Sequence, residues 1–269
     1  MTRPDRRRAT LRKTQRTLRR CALVVAFLLA ADATAFDEAL YATLLSRHTR
    51  SVDDVAGTRV DYAGLAQSAD WKRLVAGLEG VDRAALGQAN RKLAFWINAY
   101  NVLAIDLVVR HYPVESIRDI GGFLTPVWKV EAGRIGGRPF TLHEIEHEIL
   151  RPMGDPRIHA ALVCASTSCP SLRRSPYTAG QISTQLDEAT RQFLADRRKG
   201  LAVDPKRRRV RLSRIFDWFE DDFAAQGGPL GFAARYAPRD ERPWLAPPAA
   251  GLRVEYFAYD WALNDLGNR

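Results

Sequence analysis

The chain has 269 residues, of which 46% are hydrophobic and 27% are charged, which excludes a disordered chain, a collagen-like repeat and a disulfide-dense miniprotein. The formal net charge is +10, but residues 1–35 hold nine of the 41 Lys and Arg side chains and two of the 31 Asp and Glu side chains. The remainder of the chain carries only +3, and we therefore expect no nucleic-acid partner.

The first 35 residues have the three parts of a secretory signal peptide. A basic stretch precedes the apolar run Cys21–Ala31, and Ala33–Ala35 fits the small-x-small cleavage pattern. The run has 11 residues, whereas a membrane span needs about 20, so an uncleaved anchor is only the alternative. We predict cleavage near Ala35 and a periplasmic or secreted mature chain, with the Sec and twin-arginine export routes both open.

Short elements are expected on both sides of one long apolar segment. Hydrophobic spacing predicts a helix over residues 36–50, a strand over Thr58–Tyr62 and a helix over Trp71–Leu78. The segment Leu93–Val109 is apolar on nearly all sides, which predicts a helix buried at the centre of the fold. Because this segment has only 17 residues and contains two asparagines and one aspartate, we predict no transmembrane span in the mature chain.

Glycine turns and short β-type runs follow Gly121 and Gly122. A capping-box pattern at Thr141 predicts a helix that continues to about Arg151, and helices are also expected over Thr178–Arg198 and Ser213–Phe223. The predicted strands are Trp128–Glu131, Arg134–Ile135, Arg138–Phe140, Arg157–Cys164, Leu201–Val203, Val210–Leu212 and Arg253–Tyr259. The expected fold class is α+β: a single domain over residues 36–269 with a buried central helix, short antiparallel strands and surrounding helices.

Seven motifs follow one another along the chain: Phe95–Asn101, Ser116–Asp119, Ile145–His147, Asp155–His159, Cys164–Pro170, Leu212–Phe216 and Tyr259–Asn264. Together they resemble domain-of-unknown-function family 547, which occurs in exported bacterial proteins and at the C-terminus of some plant proteins. The resemblance covers nearly the whole mature chain and implies little about activity. In plant members, the position matching Cys169 is often serine, whereas the position matching Cys164 usually stays cysteine.

Cys164 and Cys169 have two competing interpretations. In an oxidising compartment, two cysteines so close in sequence predict a disulfide and a structural loop. Alternatively, Cys164 is the nucleophile of a thiol-dependent enzyme, with His147 as the base and with Asp260 or Asn98 orienting that base. His159 is the nearest histidine in sequence, but its spacing from Cys164 places the two side chains on different faces of a helix or a strand.

Glu146 and His147 form the second candidate site. Glu146 lies within the predicted buried stripe of its helix and His147 lies at the edge of that stripe, so the carboxylate must be paired or protonated. One interpretation is an acid–base pair in a cleft. The other is a structural ion pair with Arg118, Arg151 or Arg157.

The pattern H-E-x-x-H occurs at His143, Glu144 and His147, which is the spacing that zinc peptidases use. The resemblance to the family rests on Ile145–His147 and does not include His143, and no motif for a third ligand follows. A zinc peptidase is therefore the second alternative, and the main prediction includes neither a metal site nor a cofactor.

Polar and aromatic residues on the central helix complete the candidate set. Asn98 and Asn101 lie three residues apart, so we expect both amides to face one way, either clamping the Cys164–Cys169 loop or lining a polar pocket. Trp96 is a candidate binding residue, although core packing is the simpler interpretation for it and for Trp128, Trp218 and Trp261. The acidic residues Asp217, Asp221 and Asp222 predict a solvated helix face, and Lys206–Arg209 predicts a solvated hairpin tip.

These observations favour an exported cell-envelope protein that binds an unknown small molecule or protein partner. The alternative is a thiol-dependent hydrolase or transferase whose catalytic residues come from Cys164, His147, Glu146, His159 and Asp260. The sequence assigns neither a substrate nor an oligomeric state.

Overall fold

A computed structural model of the chain describes residues 35–122, 125–245 and 251–267. The predicted signal peptide falls almost entirely on residues 1–34, which lie outside the described residues, so its cleavage and the export of the chain stay predictions.

The N-terminal part is a set of short elements around a small hairpin. Helix Glu38–His48 leads into the antiparallel strands Thr49–Ser51 and Thr58–Val60, and helices Tyr62–Gln67 and Ala69–Gly77 follow. Side chains of Asp37, Asp61 and Ser68 accept a hydrogen bond from a backbone N–H in the first turn of the three helices, which satisfies donors that a helix start leaves unpaired.

The predicted central helix is confirmed and spans Ala89–His111. Its residues from Leu93 to Val108 are all buried, as expected of a helix that is apolar on nearly all sides. By length and composition this helix could cross a membrane, but 89% of its apolar window is buried inside the protein. Buried Asp106 accepts hydrogen bonds from Trp71 Nε1 at 3.0 Å and Arg110 Nε at 2.8 Å, so its charge is compensated within the fold.

The middle of the chain corrects two predicted strands. Strands Glu131–Ile135 and Arg138–Thr141 form an antiparallel hairpin, but the turn before it, Val127–Lys129, is a 3-10 helix. The predicted strand Arg157–Cys164 is also wrong: Pro156–Ala160 is a 3-10 helix that begins at Asp155, whose carboxylate accepts from Arg157 N. Both predicted strands, Trp128–Glu131 and Arg157–Cys164, are short, and over so few residues periodicity does not separate a strand from a turn of helix.

The capping box at Thr141 is confirmed. Glu144 N donates to Thr141 Oγ1 at 3.0 Å, and Thr141 N donates to Glu144 Oε2 at 2.8 Å. The helix that it opens, Glu144–Leu150, has π-helical geometry, and a 3-10 turn over Arg151–Met153 continues it. A π-helix is wider than an α-helix, and this difference changes which side chains share a face.

The C-terminal part contains a three-stranded sheet and several helices. Strands Leu201–Asp204 and Arg209–Leu212 pair antiparallel, but the last strand, Arg253–Tyr256, pairs parallel to the second, which corrects the expectation of antiparallel strands alone. The remaining helices are Ile182–Ala195, Ile215–Trp218, the 3-10 helix Glu220–Gln226, Gly228–Tyr236 and Arg242–Leu245. The α+β fold class is thus confirmed.

Two clusters of buried hydrophobic residues support this arrangement. The larger one surrounds the central helix, and the smaller one joins Phe193, Phe216 and Phe232 beneath the C-terminal sheet. Tyr259 packs against both clusters. The protein surface is concave at the boundary between the two clusters.

Asn98 and Asn101 bind the backbone on both sides of the cysteine loop. Asn101 Nδ2 donates to Ala161 O at 3.0 Å, and its Oδ1 accepts from Val163 N at 2.9 Å. Asn98 makes the same pair of hydrogen bonds with the backbone of Tyr177, at 2.7 and 2.9 Å. Both amides are fully satisfied, and they fix the chain before Cys164 and after Cys169 to one rigid helix.

We expect Asn101→Ala to lower the free energy of unfolding by about 2–4 kcal/mol, because it leaves a buried carbonyl and a buried N–H without partners. Urea unfolding followed by circular dichroism measures the change. The control is Asn90→Ala on the exposed first turn of the same helix, for which we expect a change within about 0.5 kcal/mol. Equal changes in the two variants would show that the clamp adds nothing to stability.

Candidate functional site

A cavity of about 400 Å³ opens at the boundary between the two hydrophobic clusters. This volume lies in the range of small-molecule sites. Its walls come from segments far apart in the sequence: the central helix, the π-helix Glu144–Leu150, the cysteine loop, the helix Ile215–Trp218 and the C-terminal segment around Tyr259.

One wall is aromatic. Tyr259 and Trp261 have ring centroids 4.5 Å apart, and Trp218 lies 4.8 Å from Tyr259 and 5.7 Å from Trp261. Trp128 extends the cluster, with its centroid 6.0 Å from that of Trp261. The expectation that these tryptophans are core residues is therefore wrong for Trp128, Trp218 and Trp261, whose side chains line the cavity, because aromatic composition alone does not distinguish a core from a cavity wall.

A disulfide between Cys164 and Cys169 also lines the cavity. The loop between them is held from two sides. Buried Lys199 donates from Nζ to Cys169 O at 2.6 Å and to Thr167 O at 3.3 Å, and burial lowers the pKa of this lysine to about 8. On the other side, Thr167 N donates to Ala262 O at 2.9 Å. The structural loop predicted from the two cysteines is thus present.

Tyr259 connects the aromatic wall to the disulfide. Its hydroxyl donates to Cys169 Sγ at 3.2 Å, lies 3.3 Å from Cys164 Sγ, and accepts from the Ser166 hydroxyl at 3.3 Å. Burial raises the pKa of Tyr259, and the nearby Glu146 carboxylate adds to the rise, so the phenol keeps its proton and remains a donor.

The floor of the cavity is formed by Tyr100, Glu146, His147 and His159, and Glu146 is its central titratable group. Its Oε2 accepts from the Tyr100 hydroxyl at 3.2 Å, and its Oε1 lies 3.9 Å from His159 Nδ1. Burial raises the pKa of Glu146 to about 7, although the Tyr100 hydrogen bond and the charge of Arg151 act to lower it. At neutral pH this carboxyl therefore exists in both protonation states, as a general acid or base requires.

Behind Glu146, His159 and Arg151 share one carboxylate, that of Asp222. His159 Nε2 donates to Asp222 Oδ2 at 2.7 Å, and Arg151 donates to both Asp222 oxygens at 2.7 Å. Burial acts to raise the pKa of Asp222, but these hydrogen bonds outweigh it and lower the pKa below its ordinary value. For His159, burial outweighs the carboxylate and lowers the pKa, so the imidazole is neutral at pH 7.

His147 is neutral for a geometric reason. Arg151 Nη1 lies 2.8 Å from His147 Nδ1, and because an arginine only donates, this nitrogen must be unprotonated. Burial, the neighbouring His143 and the charge of Arg151 lower the pKa of His147 to about 4. The ring of His147 stacks on that of His143 with centroids 4.3 Å apart, and both rings line the cavity.

The geometry of the π-helix explains why Glu146 and His147 both reach the cavity. Ile145 and Leu150 of the same segment are fully buried on the core side. In the wider turn of a π-helix, two adjacent polar residues can share the face opposite those anchors. Glu144 points elsewhere, because it caps the helix and binds Arg138 at 2.7 Å. Among the described residues there is no cluster of three His, Cys, Asp or Glu placed to bind a metal ion.

Residues 85–194 match the family model described as Protein of unknown function, DUF547. The resemblance to this family is thus confirmed over residues 85–194. No curated protein and no solved structure matches the chain. The match is narrower than the motif resemblance, which extends to Asn264. The DUF547 region supplies the cavity floor and the disulfide, whereas the remainder supplies Asp222 and most of the aromatic wall.

The structure brings five of the nine predicted site residues to the cavity: Cys164, Cys169, Glu146, His147 and His159. The other four do not line it. Asn98 and Asn101 bind backbone, Trp96 packs edge-on against Phe95 and Phe140, and the carboxylate of Asp260 accepts from Ala262 N at 2.9 Å. Asp260 is exposed and therefore serves the turn that covers the cysteine loop.

Two important residues were missed by sequence reasoning. The first is Asp222, for which the predicted solvated helix face is wrong, because Asp222 binds Arg151 and His159 from a 3-10 helix rather than a regular α-helix. Tyr100 is the second, and the available signal is its position between the two clamping amides in the sequence, since a buried phenol also needs a hydrogen-bond partner.

The pH dependence of stability tests the state of Glu146. A carboxyl whose pKa is raised by folding stabilises the fold below its ordinary pKa of 4.5, and this contribution is lost as the pH rises through about 7. We therefore expect the free energy of unfolding of the wild type, relative to Glu146→Gln, to fall by up to about 3 kcal/mol between pH 4.5 and 7.5. The control is Glu148→Gln, an exposed carboxyl two residues away, for which the difference should stay constant. A difference in free energy of unfolding between the wild type and Glu146→Gln that stays constant over this pH range would contradict the raised pKa.

The state of the two sulfurs decides whether a thiol mechanism is available. Cys164 as a nucleophile requires a free thiolate, and in this structure its sulfur is bonded to Cys169. We expect iodoacetamide to label neither cysteine in the native protein and both after reduction, as read by intact mass and peptide mapping. Labelling of Cys164 without reduction would restore the hydrolase or transferase alternative.

Proposed function

We propose that this protein binds a compact organic ligand in the cavity, outside the cytoplasm. The observation that carries the proposal is the combination of an aromatic wall with a floor of perturbed titratable groups in one cavity of about 400 Å³. Cavities that bind small molecules are mostly apolar and contain a few convergent polar groups that set the orientation of the ligand.

The two sides of the cavity suit different parts of such a ligand. The rings of Trp218, Trp261 and Tyr259 offer faces against which a flat apolar body packs. The floor offers one carboxyl, Glu146, that donates or accepts a proton, and one neutral imidazole, His147, that keeps its Nε2–H as a donor. A ligand with a flat ring and a hydroxyl or carboxyl group satisfies both sides.

A location outside the cytoplasm is supported by the predicted signal peptide at residues 1–35 and by the disulfide, since disulfides persist in oxidising compartments. Fractionation of cells that express the full chain, with intact mass of the product, tests this part. We expect an envelope or secreted product that begins near Phe36. A full-length cytoplasmic product would contradict it.

Substitution of the aromatic wall tests ligand binding. We expect Trp218→Ala to weaken the binding of 2-naphthoate, a flat aromatic acid, by about tenfold, because the naphthalene ring loses one of the aromatic side chains against which it packs. Trp244 is the matched control: both tryptophans are 44% exposed, but Trp244 lies outside the cavity, and Trp244→Ala should leave the dissociation constant within about twofold.

Isothermal titration measures the dissociation constants, and ligand-observed NMR extends the measurement to a panel of flat aromatic acids, amides and alcohols. Binding that is equally affected by Trp218→Ala and Trp244→Ala, or an absence of binding across the panel, would contradict the proposal.

A further inference from the structure

We propose that the Cys164–Cys169 disulfide exchanges with small thiols bound in the cavity, that the incoming sulfur attacks Cys164, and that Cys169 leaves. This inference rests on the proposed ligand-binding function of the same cavity. It gives the disulfide a chemical role in addition to closing a loop. Three features of the structure carry it: access to the sulfurs, hydrogen bonds to the leaving sulfur, and the charge at the cavity mouth.

The two sulfurs differ in access. Both cysteines line the cavity, but Cys164 is half-buried, whereas Cys169 is only 2% exposed. A thiol that approaches from the cavity therefore meets Cys164 first. Access and the choice of sulfur are among the factors that set the rate of thiol–disulfide exchange.

The hydrogen bonds favour Cys169 as the leaving group. Its Sγ accepts from the backbone N–H of Cys164 at 3.0 Å and from the Tyr259 hydroxyl at 3.2 Å. Both donors are already in place to stabilise a thiolate, and hydrogen bonds to a charged acceptor are stronger than those to a neutral one. A leaving thiol with a lowered pKa leaves faster.

The exchange is balanced without any further redox agent. The incoming thiol R–SH loses its proton, and its sulfur forms a bond to Cys164 Sγ as the Cys164–Cys169 bond breaks. The electron pair of the broken bond goes to Cys169, which takes up one proton and becomes a thiol. The incoming sulfur is oxidised and Cys169 is reduced. A second thiol that attacks the mixed disulfide releases R–S–S–R and leaves both cysteines reduced.

The mouth of the cavity favours a thiol that carries an anionic group. The exposed Lys129 lines the mouth, and none of the described residues forms an ion pair with its side chain. An ammonium group without a carboxylate partner attracts a carboxylate on the ligand. The substrate class is therefore a small thiol with a flat ring and a carboxylate.

The test uses the oxidised mature chain with 4-(mercaptomethyl)benzoate, and with the corresponding benzamide as the uncharged comparison. Acid quenching, alkylation with N-ethylmaleimide and peptide mapping at successive times locate the mixed disulfide. We expect it on Cys164, with the maleimide on Cys169. The acid should react about threefold faster than the amide, and Lys129→Gln should remove this difference.

Tyr259→Phe tests the leaving group and keeps the ring that lines the cavity. We expect exchange to slow by about tenfold, because one hydrogen bond to the departing thiolate is lost. Tyr256→Phe, in the same C-terminal segment but outside the cavity, is the control and should keep the wild-type rate. Thermal unfolding of both variants checks that the fold is intact.

Mixed disulfide divided equally between the two cysteines, or an exchange rate equal to that of the chain unfolded in urea, overturns the inference. Titration with 4-(methylthiomethyl)benzoate, whose methylated sulfur cannot exchange, separates this failure from that of the proposed function. If the thioether binds while the thiol leaves the disulfide intact, only the inference fails. If the thioether does not bind and exchange is unchanged in Trp218→Ala, both the ligand-binding function and exchange within the cavity are overturned.

Discussion

Four hydrogen bonds join two side-chain amides of the central helix to the backbone on both sides of the cysteine loop, and the shape of the cavity depends on them. Asn101 binds the chain at Ala161 and Val163, just before Cys164, and Asn98 binds it at Tyr177, after Cys169. The intervening loop has no helix or strand of its own to define its path. Its position relative to the floor is therefore set by the rigid helix, and buried amides that are fully paired have only one low-energy arrangement.

The protonation states in the cavity floor result from burial, which shifts the pKa values of acidic and basic side chains in opposite directions. Burial favours the neutral form of each group, so the pKa of Glu146 rises while that of His147 falls. Asp222 keeps its negative charge because Arg151 and His159 donate to it. One compensated ion pair thus lies next to a partly ionised carboxyl and a neutral imidazole, which limits the net charge inside the cavity. This distribution explains how several titratable residues share so small a space.

Tyr259 joins the two halves of the molecule. It packs against both hydrophobic clusters, makes tilted ring contacts in the aromatic wall and donates to the disulfide. The residues that match DUF547 end at 194, so this contact ties the matched region to the C-terminal segment that completes the cavity. A ligand that packs on the aromatic wall therefore lies beside the sulfurs as well, and ligand binding and disulfide chemistry share one location.

The sequence by itself determined the α+β class, the central helix and the capping box at Thr141, because each depends on a local pattern. For the two cysteines it left a disulfide and a free thiol open, and the structure contains the disulfide. The sequence also identified Glu146 and His147 as unusual, since a carboxylate within an apolar stripe requires compensation. Only the tertiary structure decided which residues meet. Asp222 lies 63 residues from His159, and Tyr259 lies 90 residues from Cys169. Contacts at such separations arise from packing between distant segments, which leaves no periodic mark in the chain, and the π-helical turn that aims Glu146 and His147 at the cavity is likewise invisible to a pattern based on 3.6 residues per turn.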